Sequence, residues 1–117
     1  MPGAKEPIDS LHLSQQSGGD SQLESELLML FSKQCVDQIA VMTDLTCDVP
    51  KRRDAAHTLK GAALAVGAWH VAKAADEVEA GLRKASDISL ENVTVAADEA
   101  RSFIASLAGL AGLHSVI

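Results

Sequence analysis

Aromatic side chains are almost missing from this sequence of 117 residues. Two phenylalanines, one tryptophan and no tyrosine make up 3% of the chain. Modules that bind single-stranded nucleic acids stack the bases on aromatic rings, and nucleic-acid binding in general favours a basic protein surface. Because the formal net charge is −6, we expect no binding to nucleic acid.

Cysteines and long apolar runs are scarce as well. Cys35 and Cys47 form no Cys-x-x-Cys pair and no Cys/His pair at zinc-ligand spacing. We therefore expect two free thiols in a reducing compartment, no bound metal and no cofactor held by this chain. No apolar run approaches about 18 residues, and the first ten residues lack the apolar core of a signal peptide. These absences predict a cytoplasmic protein that does not contact the membrane.

The chain also has no Gly-rich nucleotide-binding segment, and its length fits a single domain. A kinase domain or a P-loop ATPase needs more chain than this, so we expect no kinase activity of its own. Apolar residues make up 47% and charged residues 22%, which is typical of a globular protein.

Helical periodicity is what the sequence does have. The longest apolar stripe runs from Leu23 to Leu45 and predicts a helix over residues 21–45, opened by a capping box at Ser21 and Glu24. Pro50 predicts the start of the next helix and Gly67 its end. Further helices are predicted over residues 68–84 and from residue 89 onwards, and a short one over residues 8–16.

Four long amphipathic helices with short connections predict an all-α fold, an antiparallel four-helix bundle with a short extra N-terminal helix. We expect a disordered lead-in over residues 1–7, the bundle over residues 8–109, and a tail or helix end over residues 110–117. The apolar seams are used within one bundle, which predicts a monomer.

The segment from Ala55 to Gly67 holds the residues that indicate a chemistry. On a helical wheel, Leu59 and its apolar neighbours form a core face. The opposite face carries His57, Lys60, Gly61 and Leu64. Lys60 follows His57 by three residues, so its ammonium can reach the neighbourhood of the imidazole. Gly61 costs about 1 kcal/mol relative to alanine in a helix and leaves room for a partner beside the ring.

Basic residues gather around the same face. Four of the ten lysines and arginines are Lys51, Arg52, Arg53 and Lys60, and no acid occurs between residues 55 and 75. A cationic patch beside an exposed histidine suits a phosphoryl group or an acidic partner. Imidazole is a competent nucleophile near pH 7 because much of it is neutral there. The remaining histidines are expected at the surface or in the tail: His12, His70 and His114.

The string HTLKG at residues 57–61, followed by Gly67, resembles the motif H-x-L-K-G of the histidine-containing phosphotransfer (Hpt) domain family. The resemblance covers roughly residues 8–108. Further residues stand where this family tends to have them: Ile8, Asp9, Gly19, Asp20, Phe31 and Glu79. It implies a four-helix bundle that carries a phosphoryl group on the motif histidine. The carrier acts between receiver-domain aspartates in a multistep two-component phosphorelay.

The resemblance also implies roles for single residues. His57 would accept the phosphoryl group through Nε2, Lys60 would offset its charge, and Gly61 would admit the loops of the receiver. Glu79 would hydrogen-bond Nδ1 of His57 and so leave Nε2 as the free nucleophile. We expect Mg²⁺ in the partner receiver domain, and we expect Arg53 and Leu64 to contact that partner.

Other functions stay open at this point. The same face would also suit an adaptor or phosphate sink that binds receiver domains without being phosphorylated. The expected partners in either case are response-regulator receiver domains, with the receiver of a hybrid histidine kinase as one candidate. Acceptance of a phosphoryl group by His57 distinguishes the carrier from the adaptor.

Overall fold

A computed structural model describes residues 6–84 and 89–116, with the side chains of residues 6–84 and 89–107. Five helices follow one another: α1 (Ser10–Ser17), α2 (Ser21–Thr43), α3 (Val49–Val66), α4 (Trp69–Arg83) and α5 (Glu91–Val116). Helices α2 and α4 each pack against both α3 and α5, while α1 packs against α2 and α3. The predicted helical bundle with a short N-terminal helix is confirmed, and no strand occurs among the described residues.

The predicted helix bounds agree with the structure to within about two residues. The predicted lead-in lies largely outside the described residues, and so does most of the turn after α4. Helix α5 continues to Val116, which is compatible with a helix end over residues 110–117. Within the described part of the chain, no helix has both the length and the apolar content that crossing a membrane requires.

An aspartate immediately precedes each of the first three helices and caps its N terminus. The side chains of Asp9, Asp20 and Asp48 accept hydrogen bonds from backbone amides in the first turns of α1, α2 and α3. For α2 this replaces the predicted capping box, which is wrong. A carboxylate is favoured over a serine hydroxyl at this position because it also carries negative charge at the helix N terminus. Glu24 instead accepts a hydrogen bond of 3.0 Å from the hydroxyl of Ser17.

The apolar seam of α2 differs from the predicted stripe at four positions, because Leu28 is buried outside the stripe and Leu23, Leu30 and Leu45 are exposed within it. The buried residues are Leu28, Phe31, Cys35 and Met42, which repeat at steps of three, four and seven. Leu30 lies beside this seam and is exposed, and Leu45 lies beyond the end of the helix with 80% of its surface exposed. The predicted stripe is wider than the buried seam, because one step along a helix turns the side chain by about 100° and away from the core. Cys35 and Cys47 are free thiols, and burial raises the pKa of Cys35 to about 11.

Helices α3 and α4 bury mostly small side chains. The buried residues of α3 are three alanines, one leucine and one valine, and α4 buries three further alanines. Because the distance between packed helices depends on the side chains between them, this composition allows the two backbones to approach closely. A long side chain on one helix can therefore reach the exposed face of the other.

Helix α1 is fixed to the junction of α3 and α4. The amide of Asp9 donates to the carbonyl of Gly67 at 2.9 Å, and its carboxylate accepts from Nε1 of Trp69 at 3.0 Å. The ring of His12 meets the ring of Trp69 edge-on, with 4.8 Å between centroids. The expectation that His12 lies at the surface is wrong, because the apolar contact with this indole leaves it half-buried.

Candidate functional site

The exposed face of α3 carries the predicted nucleophile. The side chain of His57 is 69% exposed, while Ala56 beside it and Leu59 two residues later are fully buried. The helical period accounts for this difference, since the core-facing residues of α3 recur every three to four positions. His57 therefore lies outside the core and is accessible to a partner.

A carboxylate from α4 fixes the orientation of this histidine. Oε2 of Glu79 lies 3.0 Å from Nδ1 of His57, and the Glu79 side chain is only 10% exposed. A carboxylate oxygen can only accept a hydrogen bond, so Nδ1 carries the ring proton in the neutral imidazole. The lone pair then resides on Nε2, which is the nitrogen that a phosphoryl donor would meet.

Lys60 is already paired in the unphosphorylated protein. Its Nζ lies 2.8 Å from Oδ1 of Asp76 and 3.7 Å from Oε1 of Glu79. The hydrogen bond with Asp76 raises the pKa of Lys60, and the same contact lowers the pKa of Asp76. Lys60 therefore stays charged near neutral pH, but its ammonium is directed toward α4.

Arg83 supplies a second cation to the site. Its Nη2 lies 3.3 Å from Oε2 of Glu79, the same oxygen that contacts His57. The side chain of Arg83 is 64% exposed. Because the guanidinium is held at one point and open to solvent elsewhere, it can turn toward an anion placed near the histidine ring.

These contacts correct the predicted cationic patch. Arg52 does not contribute to it, because its Nε donates to the carbonyl of Met42 at 2.8 Å and ties the start of α3 to the end of α2. Two carboxylates from α4 pair with Lys60 and Arg83, so the charge of these two cations is offset. The sequence of α3 alone indicates a stronger patch, because the acids that offset it come from α4.

The other predicted site residues lie along the same face of α3. A Cβ built on Gly61 meets no heavy atom within 4 Å, so the surface beside the imidazole is open. Leu64 is exposed at about two turns after His57. Arg53 is half-buried one turn before His57 and has no ion pair among the described side chains.

Asp76 and Arg83 are the two site residues that the sequence reasoning did not find. A signal was present, because Asp76 stands three residues before Glu79 and Arg83 four residues after it. Residues at these spacings share one side of a helix, so the placement of Glu79 beside His57 already implies their proximity. Over the described residues, no cluster of three or more histidine, cysteine or acidic side chains is suited to hold a metal ion.

Comparison with known proteins gives two consistent results. Residues 26–113 match the family model of the Hpt domain. The chain is also similar to the crystal structure of histidine phosphotransferase ShpA from Caulobacter crescentus, with a TM-score of 0.76 and 32% identity over 95% of this chain and 99% of that chain. A comparison with curated proteins finds no match.

Proposed function

Since the chain belongs to the Hpt domain family, we propose that it carries a phosphoryl group on His57 between receiver-domain aspartates in a multistep two-component phosphorelay. The observation that carries this proposal is the contact between an exposed histidine and a buried carboxylate. Glu79 holds Nδ1 of His57 and leaves Nε2 directed away from the protein as a nucleophile.

The transfer is a displacement at phosphorus. The Nε2 lone pair of His57 forms the N–P bond as the bond between phosphorus and the aspartyl oxygen of the receiver breaks, and the aspartate leaves as a carboxylate. The proton on Nδ1 stays in place, so the ring gains positive charge. The carboxylate of Glu79 stabilises that charge through its hydrogen bond of 3.0 Å. The second transfer, to the next aspartate, reverses these steps.

The surrounding residues support the phosphoryl group and the partner. Lys60 offsets the negative charge of the phosphoryl oxygens, and Arg83 reaches the same region from α4. Gly61 leaves space for the receiver's loops. Arg53 and Leu64 contact the receiver on either side of the histidine. The Mg²⁺ that such a transfer requires is supplied by the receiver domain.

The cellular setting follows from the same proposal. The chain acts as a phosphocarrier without kinase activity, as a monomer in the cytoplasm, and binds response-regulator receivers that include the receiver of a hybrid histidine kinase. This setting is consistent with its acidic composition and with the family membership.

A transfer assay tests the proposal. The chain is incubated with a panel of phosphorylated receiver domains, with His57→Gln and His70→Gln in parallel. His70 is a suitable control because it is an exposed histidine near the start of α4, on the side that faces α5. We expect acid-labile, base-stable label on wild type and His70→Gln, and none on His57→Gln, which keeps the wild-type melting temperature.

Two outcomes would contradict the proposal. Label on His57→Gln would place the phosphoryl group elsewhere. Binding of receivers without any label would indicate the adaptor or phosphate sink instead.

A further inference from the structure

Asp76 occupies a position that the phosphotransfer chemistry does not require. It accepts a hydrogen bond of 2.8 Å from Nζ of Lys60, shorter than the 3.7 Å between that nitrogen and Glu79. Its side chain is 59% exposed, so it is not needed to satisfy a buried group. The ammonium that should serve the phosphoryl group is thus held by a carboxylate that never touches the histidine.

Phosphorylation of His57 creates a competition for this ammonium. The negative charge of the phosphoryl group on Nε2 attracts the ammonium of Lys60. The carboxylate of Asp76 is also negative and already binds this ammonium. Two anions near one cation repel each other. The contact with Asp76 is therefore stronger before phosphorylation than after it, and it favours the unphosphorylated state.

From this geometry we infer that Asp76 is a positioning residue that holds Lys60 away from the phosphoryl group and lowers the equilibrium occupancy of phosphohistidine on His57. The inference rests on the proposed function and adds a regulation of the same site. A carrier has to release its phosphoryl group as readily as it takes it up. A residue that weakens the phosphorylated state moves the transfer equilibrium toward the receiver aspartate.

The raised pKa of Lys60 agrees with this assignment, since its largest cause is the hydrogen bond with Asp76. The size of the effect is limited by exposure. Pairs between exposed charges contribute little, so we expect removal of Asp76 to change the equilibrium about threefold rather than by orders of magnitude. Salt should reduce the difference because the charges are open to solvent.

The test measures the ratio of phosphohistidine to phosphoaspartate after a phosphorylated receiver and the chain reach equilibrium. Asp76→Asn is expected to raise this ratio about threefold. Glu77→Gln is the matched control, because it removes the same charge from the adjacent exposed residue, which lines the side of α4 facing α5. This control should leave the ratio unchanged.

A double substitution separates a role through Lys60 from general repulsion. In the Lys60→Gln background, Asp76→Asn should no longer change the ratio. In the wild-type background, Asp76→Glu keeps the charge and should give a ratio close to the wild-type value. An equal effect with and without Lys60, or an equal effect of Glu77→Gln, would overturn the inference. So would an unchanged or lowered ratio in Asp76→Asn.

Labelling with phosphoramidate, a small-molecule phosphoryl donor, distinguishes failure of the proposed function from failure of the role of Asp76. If wild type takes no label from phosphoramidate or from any receiver, the proposed function fails and the inference fails with it. If wild type is labelled and Asp76→Asn behaves as wild type, only the role of Asp76 is overturned.

Discussion

Two carboxylates, Glu79 and Asp9, each organise a polar network, and they differ in what they accept. Glu79 contacts the side chains of His57, Lys60 and Arg83. Those of His57 and Arg83 are exposed, and that of Lys60 is partly exposed. Asp9 accepts from two backbone amides and from the indole of Trp69. Side-chain cations can turn toward a new anion, whereas backbone amides of a helix cannot leave their position. The first network can respond to phosphorylation, and the second fixes α1 in place.

The two glycines of the motif, Gly61 and Gly67, show a similar difference. Gly67 has φ of +77°, and a Cβ there would lie 2.9 Å from Cβ of Asp9. Gly61 has helical backbone geometry and open space around it. The fold requires a glycine at position 67 for both conformation and packing. At position 61 the fold requires none, which agrees with the proposed role of Gly61 in admitting a partner.

Replacement of Gly67 gives the largest expected effect. Gly67→Ala should lower the free energy of unfolding by about 3 kcal/mol, because a left-handed backbone is strained with a Cβ and α1 must shift to accommodate it. Chemical denaturation measures the change. Gly18→Ala is the matched control, because Gly18 has φ of +65° with nothing within 4 Å and should show the backbone strain alone. Equal losses for the two variants would contradict the contact with Asp9.

Removal of the charge on Glu79 comes next. Glu79→Gln should slow phosphoryl uptake about tenfold, because a neutral amide oxygen stabilises the charged ring less than a carboxylate does. Rapid-quench assays of a single turnover measure the rate. Asp9→Asn is the counterpart in the other network and should lower the melting temperature while leaving that rate unchanged. A slowed transfer in Asp9→Asn would show that the two networks are coupled.

Substitution of Gly61 should separate stability from function. Gly61→Ala is expected to raise the free energy of unfolding by about 1 kcal/mol, since alanine favours a helix and meets no neighbour here. Gly61→Gln should slow transfer from a receiver several-fold. Uptake from phosphoramidate, which needs no docking, should stay near the wild-type rate. If both donors are slowed equally, the open surface does not serve partner access.

The pH dependence of the α1 contact is the smallest effect. Hydrogen bonds from the amide of His12 and from the indole of Trp69 hold the pKa of Asp9 below its usual range. Because the folded pKa is lowered, the stabilisation is present above the unfolded pKa and is lost as pH falls through the folded value. Fluorescence of Trp69, the single tryptophan, should stay constant from neutral pH down to about 4. A change in fluorescence well above that pH would contradict the lowered pKa of Asp9.

The helical period predicted the part of the site that lies on α3, and the family resemblance added the contact of Glu79 with His57. The helical period of α3 sufficed to predict that Leu59 is buried and His57 exposed, because the spacing of residues along a helix determines the direction of their side chains. Contacts between helices depend on rotation and distance, which no single stripe determines. The pairing of Lys60 with Asp76 and the place of Arg83 are of this kind. The packing of His12 against Trp69 is another, since 57 residues separate them in the chain.

The alanines between α3 and α4 have a consequence for the chemistry at the surface. Small side chains allow the two helices to approach closely, and Glu79 reaches Nδ1 of His57 across that short separation. The packing of the core thus affects the length of a hydrogen bond at the surface. An added methyl group at Ala63 or Ala75, both fully buried, would lengthen this bond and alter the transfer rate, although every residue that meets the phosphoryl group is unchanged.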